Sequence, residues 1–136
     1  MEQTDTQSTN RYAVVAPRWG EKMRALGYYD AYLGFLAEQR RHAGSDVGVI
    51  DVGAGTGAFA EAWVAMNGPP RELTLLEPSR AMLERGRAAL SKRGVDPRLV
   101  QSLLGATELT PADEVLAAHV IEHCPDPLVA LLQMRD

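Results

Sequence analysis

The stretch VIDVGAGTGAFAEAW, residues 49–63, decides how the rest of the chain is read. Its β-branched, apolar opening predicts a short buried strand. Gly53, Gly55 and Gly57 then pack three glycines into five positions, and a helix follows from Ala58. Glycine lets the backbone take positive φ, so the strand can turn sharply into that helix. Such a turn brings backbone amides close to whatever lies at the strand's end.

Working outward, the rhythm repeats. A strand is predicted over Val47 to Val52 and a helix over Ala58 to Met66, ended by Asn67-Gly68-Pro69-Pro70. "ELTLLE" (Glu72 to Glu77) is a second strand. Ser79 can N-cap a helix to about Lys92, with Gly94 as its stop. "RLVQSLL" (Arg98 to Leu104) and "DEVLAA" (Asp113 to Ala118) predict strands three and four. Asp126 followed by Pro127 marks a further helix start. Strands alternating with helices predict an α/β fold: a Rossmann-like parallel sheet, about four strands present, with ligands at the strands' carboxyl ends. Upstream, Arg11 to His42 reads as helical, broken at Pro17 and Gly27 and stopped at Gly44. Tyr28, Tyr32, Leu33, Phe35 and Leu36 make its apolar face.

Composition narrows the function classes. With 136 residues the chain is one domain, and 46% hydrophobic with 24% charged residues is ordinary for a globular protein. A net charge of -4 argues against a broad nucleic-acid surface. No apolar run approaches the roughly 20 residues of a membrane span. The polar start MEQTDTQSTN lacks the apolar core of a secretory signal and reads as a disordered tail over residues 1–10. Cys124 is the single cysteine, which excludes an internal disulfide and fits a cytoplasmic setting.

The glycines alone do not identify a ligand. Gly53-x-Gly55-x-x-Ala58 satisfies the dinucleotide fingerprint in its Gly-or-Ala form. Asp51, two residues before the first glycine, places a carboxylate near the helix N-terminus. A pyrophosphate on those amides would be repelled by it, whereas a cationic ligand would not. The alternative role for Asp51 is to hydrogen-bond the loop amides. Glu77 ends strand two and can accept two ribose hydroxyls, or act as an acid at the start of the next helix. Those roles are compatible.

Three motifs in order, VIDVGAGTGAFA, LTLLEPSRAML and DEVLAAHVIEHCPDP, resemble the class I S-adenosylmethionine-dependent methyltransferases, in particular the small-molecule branch. The resemblance covers about residues 45–136. It implies S-adenosylmethionine as cofactor, a ligand whose sulfonium and ammonium suit an acidic mouth. It implies that Asp51, Gly53, Ala54, Gly55 and Gly57 line the amino-acid part, and that Glu77 with Pro78 holds the ribose. Ala118 and His119 fall beside the methionine moiety. The match departs at "LLGATEL", where Leu104, Gly105 and Ala106 stand in place of the family's acid after strand three. Backbone amides and apolar packing, for example from Met82, would then hold adenine. The resemblance also makes residues 11–44 a helical lid, from which Tyr12 and Trp19 are expected to reach the pocket.

Smaller signals stay secondary. His119 and His123 lie four apart, but Pro125 breaks a shared helix and no third ligand is evident, so no metal is expected. Arg80, Arg85, Arg87, Lys92 and Arg93 read as a solvated helix face. The chain stops at Asp136, within the helix that would lead to a fifth strand, which predicts a core incomplete at its C-terminus. An apolar fourth strand at an open edge invites a partner, either a second copy of the chain or another protein. The expected activity is methyl transfer to a small-molecule acceptor. The rivals are a nucleotide-dependent oxidoreductase and a non-catalytic cofactor-binding or interaction module.

Overall fold

The computed structural model describes residues 18, 21, 22, 24–38, 44–106, 109–118 and 134. Seven regular elements follow in order: α1 (Tyr28–Ala37), β1 (Gly48–Val52), α2 (Ala58–Asn67), β2 (Glu72–Leu76), α3 (Arg80–Ser91), β3 (Arg98–Val100) and β4 (Glu114–Ala117). A 3-10 turn, Gly44–Asp46, leads into β1.

All strand pairs are parallel, in the order β3-β2-β1-β4. The expected Rossmann-like α/β fold is therefore present. The chain steps from β1 through α2 to β2 and through α3 to β3. It then crosses to the other side of β1 for β4. The order reverses between β1 and β4, and a crevice at the carboxyl ends opens at such a point.

Period-two alternation divides the sheet into two faces. Val49, Leu73, Leu75 and Leu116 join one core with Ala60, Trp63, Leu83 and Leu90 from α2 and α3. Ile50, Val52 and Leu76 form the opposite face, packed by Val100, Leu104, Leu109, Ala112 and Met134. All five β1 residues are buried, as a central parallel strand requires. Trp63, 1% exposed, is the largest side chain in the first core.

The helix boundaries agree with the capping signals. Ser79 Oγ accepts the Met82 amide at 3.3 Å, so α3 has its expected N-cap. Gly27 takes φ 86° ahead of α1, the break anticipated there. Gly44 opens the 3-10 turn, pressed against neighbouring carbonyls where a Cβ would lie 2.5 Å from Asn67 O; residues 39–43, where a helix stopped by it would end, lie outside the described residues. Phe35 is 58% exposed although its ring lies 6.2 Å from Phe59, so the apolar face of α1 is narrower than the sequence spacing suggests. Strand β3 stops at Val100 rather than Leu104, because the Ser102 amide turns back onto Val100 O at 3.1 Å.

Away from the carboxyl ends, Asp113 clamps the sheet. Its carboxylate accepts the Gly48 amide at 2.8 Å and pairs with Arg71 at 2.9 Å. The amide and then the guanidinium hold that carboxyl below its ordinary range.

Candidate functional site

The glycine turn joins the carboxyl ends of β1 and β2. Gly53, Gly55 and Gly57 have φ of 63°, 54° and 82°. The Ala54 amide donates to Leu76 O at 3.1 Å, which ties the turn across to β2. Gly57 is required twice over. It is left-handed, and a Cβ on it would meet Gly86 Cα of α3 at 3.2 Å. Gly86 is tightly placed in turn, since a Cβ on it would meet Leu75 Cδ1 at 3.0 Å. The two glycines let the start of α2 and the middle of α3 touch backbone to backbone.

Glu77 organises the turn from the β2 side. The Gly55 amide donates to its Oε1 at 3.2 Å and the Ser79 amide to its Oε2 at 2.7 Å. Its backbone amide donates to Val100 O at 3.1 Å, which fixes it at the end of the strand. The side chain is buried, and burial pushes its carboxyl up while the Ser79 and Gly55 amides pull it down. Each oxygen retains lone-pair capacity for a further donor.

Asp51 differs from its expected place. The sequence suggested an acid at the mouth of the turn; the structure buries it to 2% exposure. The reason is strand alternation: Asp51 shares the face of Val49, beneath the helices, in register with Leu75 and Leu116. It accepts the backbone amide of Ala60, yet its Oδ2 has no hydrogen-bond partner. Desolvation raises its carboxyl to about 8, opposed by the Ala60 amide and reinforced by Glu77.

The remaining anticipated residues separate into three groups. Ala118 stands one residue beyond the Val52–Ala117 pair, at the carboxyl end of β4. Pro78 is partly buried, and its carbonyl accepts Gln101 Nε2 at 3.3 Å. Met82 is 2% exposed, so it backs the site from inside instead of offering an open apolar surface. Tyr12, Trp19, His119 and His123 lie outside the described residues.

Tyr32, read from the sequence as part of an apolar helical face, also lies within reach of the Asp51 charge. Its ring packs on Phe59 at 4.7 Å, and burial and then the Asp51 charge push its phenol up. A tyrosine at helical spacing looks like any other core residue, so the sequence carried no separate signal. Ser79 was read only as a cap, whereas its amide also holds Glu77. Gly86 did carry a signal, since glycine inside a helix costs about 1 kcal/mol and needs a packing reason. Tyr29 of α1 is held by Arg24 and Arg93, each of which also pairs with Glu61 of α2. No group of three or more His, Cys, Asp or Glu able to hold a metal occurs among the described residues.

Residues 50–136 match the family described as a methyltransferase domain, which is well over half of the chain. The chain belongs to that family. Solved structures share the domain's fold. The YcgJ protein from Bacillus subtilis matches with a TM-score of 0.61 and 19% identity over 76% of this chain and 44% of its own. A complex of DhpI with SAH matches at 0.71 and 18% over 96% and 62%. A SAM-dependent methyltransferase from Thiobacillus denitrificans, in complex with S-adenosyl-L-homocysteine, matches at 0.59 and 19% over 76% and 43%. This chain thus spans 43 to 62% of the length of these proteins. A search of curated proteins found no match.

Proposed function

We propose that this methyltransferase domain binds S-adenosylmethionine across the carboxyl ends of β1, β2 and β4 and serves transfer of its methyl group to a small-molecule acceptor. The observation that carries the reading is Glu77: a buried carboxyl held by two backbone amides at the end of β2, facing the glycine turn. When bound, S-adenosylmethionine supplies an electrophilic methyl group on a sulfonium. The chain's own residues bind and orient. Glu77 is preorganised to accept ribose hydroxyls, and Gly53, Ala54, Gly55 and Gly57 offer backbone without side-chain bulk. Asp51, with an orphaned oxygen under the turn, suits the ammonium end of the ligand. Pro78 and Met82 support the nucleoside side and Ala118 and His119 the methionine side, while Tyr12 and Trp19 reach the pocket from the N-terminal segment. No side chain among these is assigned as a base, since displacement at a sulfonium methyl asks chiefly for alignment and exclusion of water.

The fingerprint ending at Ala58 keeps a dinucleotide-dependent oxidoreductase as the second reading. The bare Oδ2 of Asp51 beneath the turn suits a cationic ligand better than a pyrophosphate. The setting fits a reducing cytoplasm, with Cys124 as the single cysteine. No helix among the described residues is long and apolar enough to cross a membrane. Among the described residues β4 is an edge strand, and we propose that a second chain or copy pairs there. Isothermal titration with S-adenosylmethionine and S-adenosylhomocysteine tests the cofactor: micromolar binding is expected. Absence of heat from either ligand with folded protein overturns the reading.

A further inference from the structure

The two carboxyl groups beside the glycine turn are treated unequally. Glu77 receives two amide hydrogen bonds, from Gly55 and Ser79. Asp51 receives one, from Ala60, and its Oδ2 has none. Among the described residues Asp51 forms no ion pair. The titratable groups that act on it are Glu77 at the end of β2 and, from α1, Tyr32, which is itself next to Tyr28. The elements on either side in the sheet present Leu75 and Leu116, and α2 presents only a backbone amide. A carboxylate here would be a desolvated negative charge beside a second one, with an oxygen left bare. That is costly, and the neutral acid is the cheaper state.

We infer that Asp51 is a neutral carboxylic acid in the ligand-free domain and gives up its proton to solvent when a cationic ligand occupies the glycine turn, so that binding is linked to release of one proton. The O–H bond of the acid breaks, the proton passes to buffer, and the ligand's ammonium supplies the counter-charge that the protein withholds. Glu77, already served by two amides, accepts neutral hydroxyls without changing its charge. This inference rests on the cofactor reading above. The carboxyl of Asp51, raised to about 8, places the linkage within reach of ordinary buffers. The turn then discriminates by charge: a nucleoside without an ammonium group leaves the acid protonated.

Titration calorimetry with S-adenosylhomocysteine near pH 6.5, in two buffers of different ionisation enthalpy, reads the proton count directly. About one proton released per ligand is expected, with affinity rising roughly tenfold per pH unit until about 8. Methylthioadenosine, which keeps the nucleoside and lacks the ammonium, is expected to bind with no release. Asp51→Asn is expected to bind S-adenosylhomocysteine more weakly, with no release and a flat pH profile. Binding without proton release in the native chain, or equal release in Asp51→Asn, overturns the inference and leaves the cofactor reading standing. A folded chain that binds no S-adenosylhomocysteine overturns the cofactor reading instead. The acid itself is then decided by a carbon-13 NMR titration of aspartate-labelled, ligand-free protein. A carboxyl signal titrating near 8 and missing in Asp51→Asn supports the neutral acid, and a signal for Asp51 titrating near 4 contradicts it.

Discussion

Glu77 is where position, hydrogen bonding and proposed chemistry meet most closely. Two amide donors hold its carboxyl, so the side chain is aimed before any ligand arrives. Glu77→Ala is expected to weaken S-adenosylhomocysteine binding by about 1.5–3 kcal/mol, measured by calorimetry on protein whose circular dichroism is unchanged. Unchanged affinity would reduce Glu77 to a clip on the glycine turn. Asp51 gives a prediction about stability. Its folded pKa lies above the ordinary aspartate value, so between about pH 4 and 8 the folded chain holds a proton that the unfolded chain has lost. Stability from this group is therefore complete below about pH 4 and declines as pH rises toward 8. Asp51→Asn is expected to flatten that decline in urea titrations at successive pH values; a parallel decline in the variant would contradict it. Both carboxyl groups were visible in the sequence by their distance from the glycines. The burial of Asp51 was not read there, because the sequence reading took its place near the helix N-terminus as a place at the mouth. Strand parity, counted from Val49, points the other way.

At the scale of elements, capping and periodicity carried most of the information. Ser79, Gly94 and the Asn67-Gly68-Pro69-Pro70 break set the helix limits to within a residue or two of those observed. Long-range packing was not legible in the same way. The shortening of β3 depends on a turn at Ser102, and the contact between α2 and α3 depends on Gly57 meeting Gly86. Neither is written in one element alone. Gly57→Ala is expected to destabilise the fold by about 1–2 kcal/mol from left-handed strain, with more added by the 3.2 Å approach to Gly86. Chemical denaturation checks the figure. A neutral substitution would mean that the turn can relax to a right-handed conformation. Trp63→Ala, which empties the middle of the larger core, is expected to cost about 3–5 kcal/mol in the same assay.

Across the whole molecule, the order β3-β2-β1-β4 explains why glycines, Glu77 and Ala118 gather although they are far apart in sequence. Parallel strands deliver their carboxyl ends to one edge of the sheet, and the reversal between β1 and β4 leaves a crevice there. That convergence follows from the alternation of strands and helices, which is why the fold was readable from sequence. The acceptor's chemistry was not readable, because the motifs that identify the sheet carry no residue specific to an acceptor. The measurement that tests the central claim most directly is the shift in melting temperature with a small ligand panel. S-adenosylhomocysteine at about 100 times its dissociation constant should stabilise the fold by roughly 2.7 kcal/mol, a rise of several degrees, while NAD should leave the transition in place. A rise with NAD and none with S-adenosylmethionine or S-adenosylhomocysteine would contradict the account.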